Sequence, residues 1–323
     1  MNNTIKFSVD AKNSGKRLDI FLAENVKELT RSHLKKLITN KQVKLNESVF
    51  STPSTKIKYK DNIQINIIQN DVQDLAPNRV KLNIIYEDKD ILIINKPKGM
   101  IVHPGAGNYI NTLVNALLFK YKKNLSNING NLRPGIVHRL DKETSGLIVV
   151  AKNNLAHSNL SNQFSEHSIK RKYLCLVWGV IRPLKGKITT FITRDKKNRQ
   201  LMTASELKGK KAITNYNTIK VFNLKDIPKI SLIECELETG RTHQIRVHLK
   251  YKGTSLLGDK QYGKKNIKFK KVNNDFLKAL NSLTGQALHA KTLEFSHPKT
   301  KKWLNFNSDL PGSFRKILNL LEN

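Results

Sequence analysis

The residues best suited to chemistry lie in the nine-residue segment His138–Gly146, HRLDKETSG. Asp141 sits there with Arg139 two positions before it, and a continuous apolar run, Leu147-Ile148-Val149-Val150-Ala151, follows directly. That run reads as a buried strand, because it is unbroken, β-branched and bounded by Gly146 and Lys152-Asn153-Asn154. Asp141 is therefore expected on a loop at the mouth of a rigid element, where a held carboxylate can act as nucleophile or base. Taken alone, an aspartate in such a loop is more often a turn or capping residue.

Two further segments carry reactive side chains. Ser168-Ile169-Lys170-Arg171-Lys172-Tyr173 leads into an expected strand, Leu174–Trp178, and Tyr173 stands 32 residues after Asp141. A strand tyrosine is usually packing, but a phenol ring can also stack on a flipped base. Thr239–Leu249, TGRTHQIRVHL, holds Arg241, His243, Arg246 and His248. Thr242 can cap a helix running to about Tyr251, with Gly253 ending it. His243 and His248 are five apart, not the i, i+4 pair that shares a helix face, so no metal site is expected. The glycine-rich VHPGAGN at Val102–Asn108 fails as a dinucleotide fingerprint, because Ile110 occupies the third glycine position. No P-loop is present either.

The elements that must position these groups follow from periodicity. Leu18, Phe21 and Leu22 stripe a first helix; Leu34, Leu37 and Ile38 stripe a second, with Thr30 as its N-cap. Arg31 and Lys35 fall on one exposed face of the second helix, with Lys36 beside them. Strands are expected at Val43–Leu45 and Ile63–Ile67. Gln69–Arg79 is polar, contains Pro77 and reads as a linker. Beyond it, Ile84–Tyr86 and Ile91–Ile94 read as strands, and Thr112–Tyr121 and Ala156–Glu166 as helices. Basic loops run at Arg194–Arg199 and Lys264–Lys271. The expected domains are 1–68, a linker at 69–79, and 80–323.

The 323 residues carry 58 Lys+Arg against 25 Asp+Glu, a net charge of +33. Such an excess calls for a polyanion, and nucleic acid is the expected partner. No basic amphipathic terminal helix or long apolar run suggests a membrane. Cys175 and Cys235 lie in apolar segments without a CxxC spacing, which suits reduced thiols and a cytoplasmic location. No secretory leader is visible at the N-terminus.

These segments resemble the RluA/RluD family of pseudouridine synthases. His138, Arg139, Leu140, Asp141, Thr144, Ser145 and Gly146 fall on its signature loop, with Ala151-Lys152 following. GRTHQIRVHL, Leu257-Gly258-Asp259-x-x-Tyr262-Gly263 and Gln286–Ala290 extend the match from about Ile84 to Pro311, and VHPGAGN resembles the large-subunit RluD type. The resemblance implies an α+β domain on a mixed, largely antiparallel sheet with flanking helices. It implies uridine-to-pseudouridine isomerisation in structured RNA, specifically the helix 69 stem-loop of large-subunit (23S) ribosomal RNA. Asp141 would be the nucleophile, attacking the base or C1′, and Tyr173 would stack on the uracil. Arg246 would orient Asp141 through a bidentate pair, and Arg139 would fill the space the uridine vacates. Arg241 and His243 would contact RNA. Ahead of this domain, Arg17-Leu18-Asp19, Arg31-Ser32 and Val43-x-Leu45-Asn46 resemble the S4 RNA-binding domain, which implies an RNA-contacting face of Arg17, Arg31, Lys35 and Lys36. A non-catalytic S4-type RNA-binding or ribosome-assembly protein is the competing reading; the set Asp141, Tyr173 and Arg246 speaks against it. A kinase reading of HRLD fails because Leu140 intervenes and Gly146 replaces the required Asn.

Overall fold

In a computed structural model, the chain divides into one unit of residues 1–76 with 129–134, and a second of residues 77–128 with 135–323. The structure describes all residues except 1, 27–28, 30, 69–74, 106–108, 123, 131 and 264–272. The expected cap Thr30, most of the expected linker, the end of VHPGAGN and all of the second basic loop lie outside the described residues.

In the first unit the apolar stripes form helices α1 (Leu18–Asn25) and α2 (Arg31–Thr39). Leu18, Leu22, Leu34, Leu37 and Ile38 are buried with Ile57, Ile63 and Ile65 in one core. The sheet runs in the order β1 (Asn2–Ser8), β4 (Asn62–Ile68), β2 (Val43–Leu45), β3 (Ser48–Phe50), all antiparallel. β1 and β3 were not expected. β1 forms because its residues find β4 in register, from Asn2↔Ile68 to Ser8↔Asn62, a pairing that no local pattern announces.

The second unit is built on a ten-stranded sheet. Its strands in chain order are β5 (Ile84–Glu87), β6 (Ile91–Lys96), β7 (Ser145–Ala151), β8 (Lys170–Trp178), β9 (Lys185–Arg194), β10 (Met202–Ser205), β11 (Lys210–Phe222), β12 (Ile230–Leu237), β13 (Leu288–Ser296) and β14 (Trp303–Asn307). The spatial order is β10-β9-β11-β12-β8-β13-β7-β6-β5, with β14 on β13. Among the described residues only β7 and β13 pair in parallel, so the sheet is mixed and largely antiparallel. Helices α3 (Leu113–Tyr121), α4 (Asn154–Ser165), α5 (Gln244–Tyr251), α6 (Asn274–Asn281) and α7 (Gly312–Glu322) complete an α+β fold.

The unbroken apolar run is β7. Every residue in it is buried, because β6 and β13 flank it and both sheet faces are covered. Leu147 and Val149 pack with Leu160 of α4 and Phe295 of β13. Gly146, the second residue of the strand, has φ +114°, and a Cβ there would lie 2.3 Å from the Ala290 carbonyl oxygen. Only glycine allows the two parallel strands to approach this closely, directly after the Asp141 loop.

Thr112 caps α3 in a capping box with Asn115. α4 starts at Asn154, two residues before the expected start, because Asn153 accepts from the Ala156 amide. The expectation for α5 is corrected. Thr242 is exposed and does not cap it; His243 occupies the N-cap at φ 57°, without a side-chain cap bond. Gln244 anchors this end instead, accepting from Thr239 Oγ1 and the Arg241 amide and donating to Ile213 O and Thr214 Oγ1.

Candidate active site

Three elements deliver side chains to one cavity of about 440 Å³: the loop before β7, strand β8 and the N-terminal turn of α5. The loop is held from several sides. His138 Nε2 accepts from the Val149 amide at 3.0 Å, so its ring is tied back to β7. Thr144 N donates to Asp141 O at 3.1 Å, closing a turn, and Thr144 Oγ1 accepts from Gln286 Nε2 at 3.0 Å. Ser145 Oγ meets His289 Nδ1 of β13 at 2.9 Å. From β6, the buried Lys96 donates to the carbonyls of Pro97, Met100 and Lys142. Burial lowers Lys96 to about 7, while the charges of Asp141 and Glu143 oppose that shift. The carboxylate of Asp141 therefore sits on a loop whose backbone has little freedom, with its side chain 17 % exposed.

Arg246 projects from α5 and donates from Nη1 to Asp141 Oδ2 at 3.1 Å. The expected bidentate pair is corrected. The fork of Arg246 grips Asp259, with Nε on Oδ2 at 2.8 Å and Nη2 on Oδ1 at 2.9 Å, leaving one arm for Asp141. Nη2 also donates to Gln261 Oε1 at 2.8 Å. Asp259 is fully buried and accepts from the amides of Gln261 and Tyr262, which fixes its plane. Burial alone would raise Asp259, but the Arg246 hydrogen bonds and charge outweigh it and hold it below the ordinary carboxylate range. Burial also works against the Arg246 charge, and the Asp259 and Asp141 carboxylates more than offset it. Arg246 thus arrives aimed by a permanent partner, and Asp141 receives one directed charge-assisted bond.

His243 places Nε2 3.8 Å from Asp141 Oδ1 and Nδ1 2.8 Å from the Tyr262 hydroxyl. Burial lowers His243, against the pull of the Asp141 charge. The Tyr262 hydroxyl also accepts from the Met202 amide, and its ring lies 4.7 Å from the Arg246 guanidinium carbon. His248 is directed elsewhere, between the hydroxyls of Thr190 and Thr214 at 3.0 and 2.9 Å. The two histidines serve separate networks.

Tyr173 is buried in β8 and lines the cavity. Burial raises its phenol, with Arg171 pulling it back and Asp141 adding to the rise. Arg139 is exposed at the rim and forms no ion pair with Glu143 among the described residues. Arg241 lines the cavity and donates from Nε to Lys211 O at 2.9 Å. The structure thus brings together Asp141, Tyr173, Arg246, His243, Arg139 and Arg241. Arg17, Arg31, Lys35 and Lys36 belong to the first unit. There Arg17, Arg31 and Lys35 converge on the fully buried carboxylate of Asp19 at 2.9, 2.9 and 3.5 Å, so the basic face expected to contact RNA has an acidic anchor.

Residue reasoning alone missed Asp259, Gln261 and Tyr262 as the support of Arg246. Their signal was the segment LGDKQYG, which carried a resemblance but no role. Gln286 likewise lay in a segment that carried a resemblance but no role, and Lys96 and Arg171 were given no role, since each meets the site through contacts distant in sequence.

Residues 90–251 match the family model described as RNA pseudouridylate synthase. The chain is 40 % identical over 323 residues to an uncharacterized RNA pseudouridine synthase of Bacillus subtilis (strain 168), covering 99 % of each. It is 43 % identical to ribosomal large subunit pseudouridine synthase D of Zymomonas mobilis, covering 95 % of this chain and 94 % of that one. Among solved structures it is similar to human RNA pseudouridylate synthase domain containing 4, with a TM-score of 0.57 and 26 % identity, over 74 % of this chain and 93 % of that one. The fold is that of an RNA-modifying isomerase. The chain belongs to the RNA pseudouridylate synthase family, in its RluA/RluD branch, and isomerises uridine to pseudouridine.

Proposed function

We propose that this chain modifies large-subunit (23S) ribosomal RNA, at the helix 69 stem-loop, with Asp141 as its nucleophile. The observation that carries the reading is the 3.1 Å bond from Arg246 to Asp141 in a cavity that Tyr173 also lines. The reaction breaks the bond from C1′ to N1, turns the uracil and forms the bond from C1′ to C5, while the C5 hydrogen leaves as a proton and N1 takes one up. Asp141 attacks the base or C1′, Arg246 orients its carboxylate, and Tyr173 faces the uracil. The uridine must first leave its stack, at a cost of a few kcal/mol, and Arg139 at the rim fills the space left behind. Arg241 and His243 contact RNA beside the reacting nucleotide. The redox-neutral isomerisation calls for no cofactor. The ribosomal substrate rests on relatives named ribosomal large subunit pseudouridine synthase D and on the VHPGAGN segment.

In the same reading residues 1–68 form an S4-like RNA-binding domain, 69–79 a linker and 80–323 the catalytic domain. Arg17, Arg31, Lys35 and Lys36 position the RNA backbone without reading sequence. Two buried free cysteines suit a cytoplasmic enzyme, and no helix among the described residues is long and apolar enough to cross a membrane.

The test is tritium release from 5-³H-uridine in large-subunit rRNA taken from cells lacking the protein. Wild type is expected to release tritium, and Asp141→Ala to bind the RNA and release none. Release that persists in Asp141→Ala would remove Asp141 as nucleophile. A folded, RNA-binding wild type that releases none would remove the rRNA assignment.

A further inference from the structure

Arg171, in β8, is a buried guanidinium without a carboxylate partner among the described residues. Its one hydrogen bond among them is a 3.4 Å donation from Nη2 to Leu237 O, and Nε is buried with no partner there. The Phe164 ring lies 5.2 Å from its guanidinium carbon and stacks in turn on His138, centroids 4.7 Å apart. Gly240 provides the space for it: a Cβ there would sit 2.9 Å from Nη1. Gly240 is not in the left-handed region, so the room it leaves for the guanidinium, not its backbone, explains the glycine.

A buried charge is costly unless an opposite charge or a full set of hydrogen bonds compensates it. The cavity that Arg171 lines has one carboxylate, Asp141, and four of the chain's twelve arginines, Arg139, Arg171, Arg241 and Arg246. Asp141 and Asp259 engage Arg246, and the Lys211 carbonyl engages Arg241. Arg139 is exposed to solvent at the rim. Among the described residues, Arg171 is the one held inside the wall with its charge unmatched. A uracil is neutral and does not need that charge. The part of a nucleotide that does is its phosphodiester, whose paired oxygens suit a planar guanidinium fork.

We propose that Arg171 binds a phosphodiester oxygen of the nucleotide that enters the cavity, and so sets how deep that nucleotide sits. The proposal rests on reading this cavity as the nucleotide pocket.

The test titrates the full chain with uridine 5′-monophosphate, uridine 3′-monophosphate and uridine, followed by ³¹P and ¹H NMR. One monophosphate is expected to bind wild type at least about tenfold more tightly than uridine, as a charged hydrogen bond should provide. Arg171→Met should cut that margin below about twofold while binding uridine as before. A margin that survives in Arg171→Met would assign the phosphate to Arg139 or Arg241 and overturn the proposal. So would a wild type without a margin, because the guanidinium would then serve a uracil carbonyl or the fold. Where the substitution prevents folding, wild type alone decides: the Arg171 Nε–H resonance should shift with the monophosphate and not with uridine, and no shift overturns the proposal. Failure of the rRNA assignment would appear as absent tritium release and would leave these free-nucleotide titrations unaffected.

Discussion

A single arginine shows how this active site is assembled. Arg246 could have spent its planar fork on Asp141. It grips Asp259 instead and offers Asp141 one arm. A fork closed on a reacting carboxylate would have to open during the reaction, whereas one closed on a spectator acid stays in place. Asp259→Asn tests this division. It leaves the Arg246 charge buried beside a neutral amide, and breaking a buried pair from one side costs about 3–5 kcal/mol. The urea midpoint should fall accordingly, and in the folded fraction kcat for tritium release should fall more than KM rises. A variant with wild-type stability and kcat would show that Asp259 does not position Arg246.

At the scale of elements, the close approach of β7 and β13 governs the reactive loop. Gly146↔Ala290 pairs the two parallel strands one residue from that loop, and the Gly146 φ of +114° excludes a side chain as firmly as the Ala290 carbonyl does. Gly146→Ala should cost at least about 3 kcal/mol, combining strain with overpacking, read as a lowered urea midpoint or as failure to fold. In the first unit, α2 presents its cations around Asp19, so reversing Arg31 and Lys35 to glutamate would set new acids against a buried one. Neutral changes probe RNA binding without that conflict. Lys35→Gln with Lys36→Gln should reduce the slope of log K against log salt by up to about 1 for each lysine that neutralises a phosphate, with circular dichroism unchanged. An unaltered slope would remove these two lysines from the RNA footprint.

At the scale of the molecule, neutral histidines of the second unit, His248 and His289 buried and His138 partly so, tie stability to pH. Burial holds His248 and His289 at about 4 and His138 at about 3, with Lys291 adding to the effect at His289 and Arg171 at His138. Each folded value lies below the ordinary 6.5, so as pH falls the unfolded chain takes up protons first. The stability these rings contribute is present above about 6.5 and is lost as pH drops toward 4, by about 1–2 kcal/mol per ring between pH 7 and 5. Asp259, held low when folded, loses its contribution further down, in the same direction. Urea midpoints at pH 7 and pH 5 check this. Equal midpoints would mean that the three rings are not neutral in the folded state.

The sequence by itself determined whatever depends on neighbours along the chain. The β-branched run after Gly146 could only be a covered strand, the Thr112 hydroxyl sits where the first amides of α3 lack acceptors, and the stripes of α1 and α2 follow from helical spacing. The motif loop, Tyr173 and the arginine of α5 were legible because their types and spacing match a family. Tertiary structure alone decided what meets what. Arg246 and Asp141 are 105 residues apart, Ser145 and His289 are 144 apart, and β1 pairs with a strand some sixty residues later. That Asp259 takes the Arg246 fork, that His243 rather than Thr242 begins α5, and that Arg171 is buried without an acid beside it among the described residues all depend on sheet pairing. Pairing is a competition among all strands for hydrogen-bond partners and burial, so no local pattern encodes its outcome.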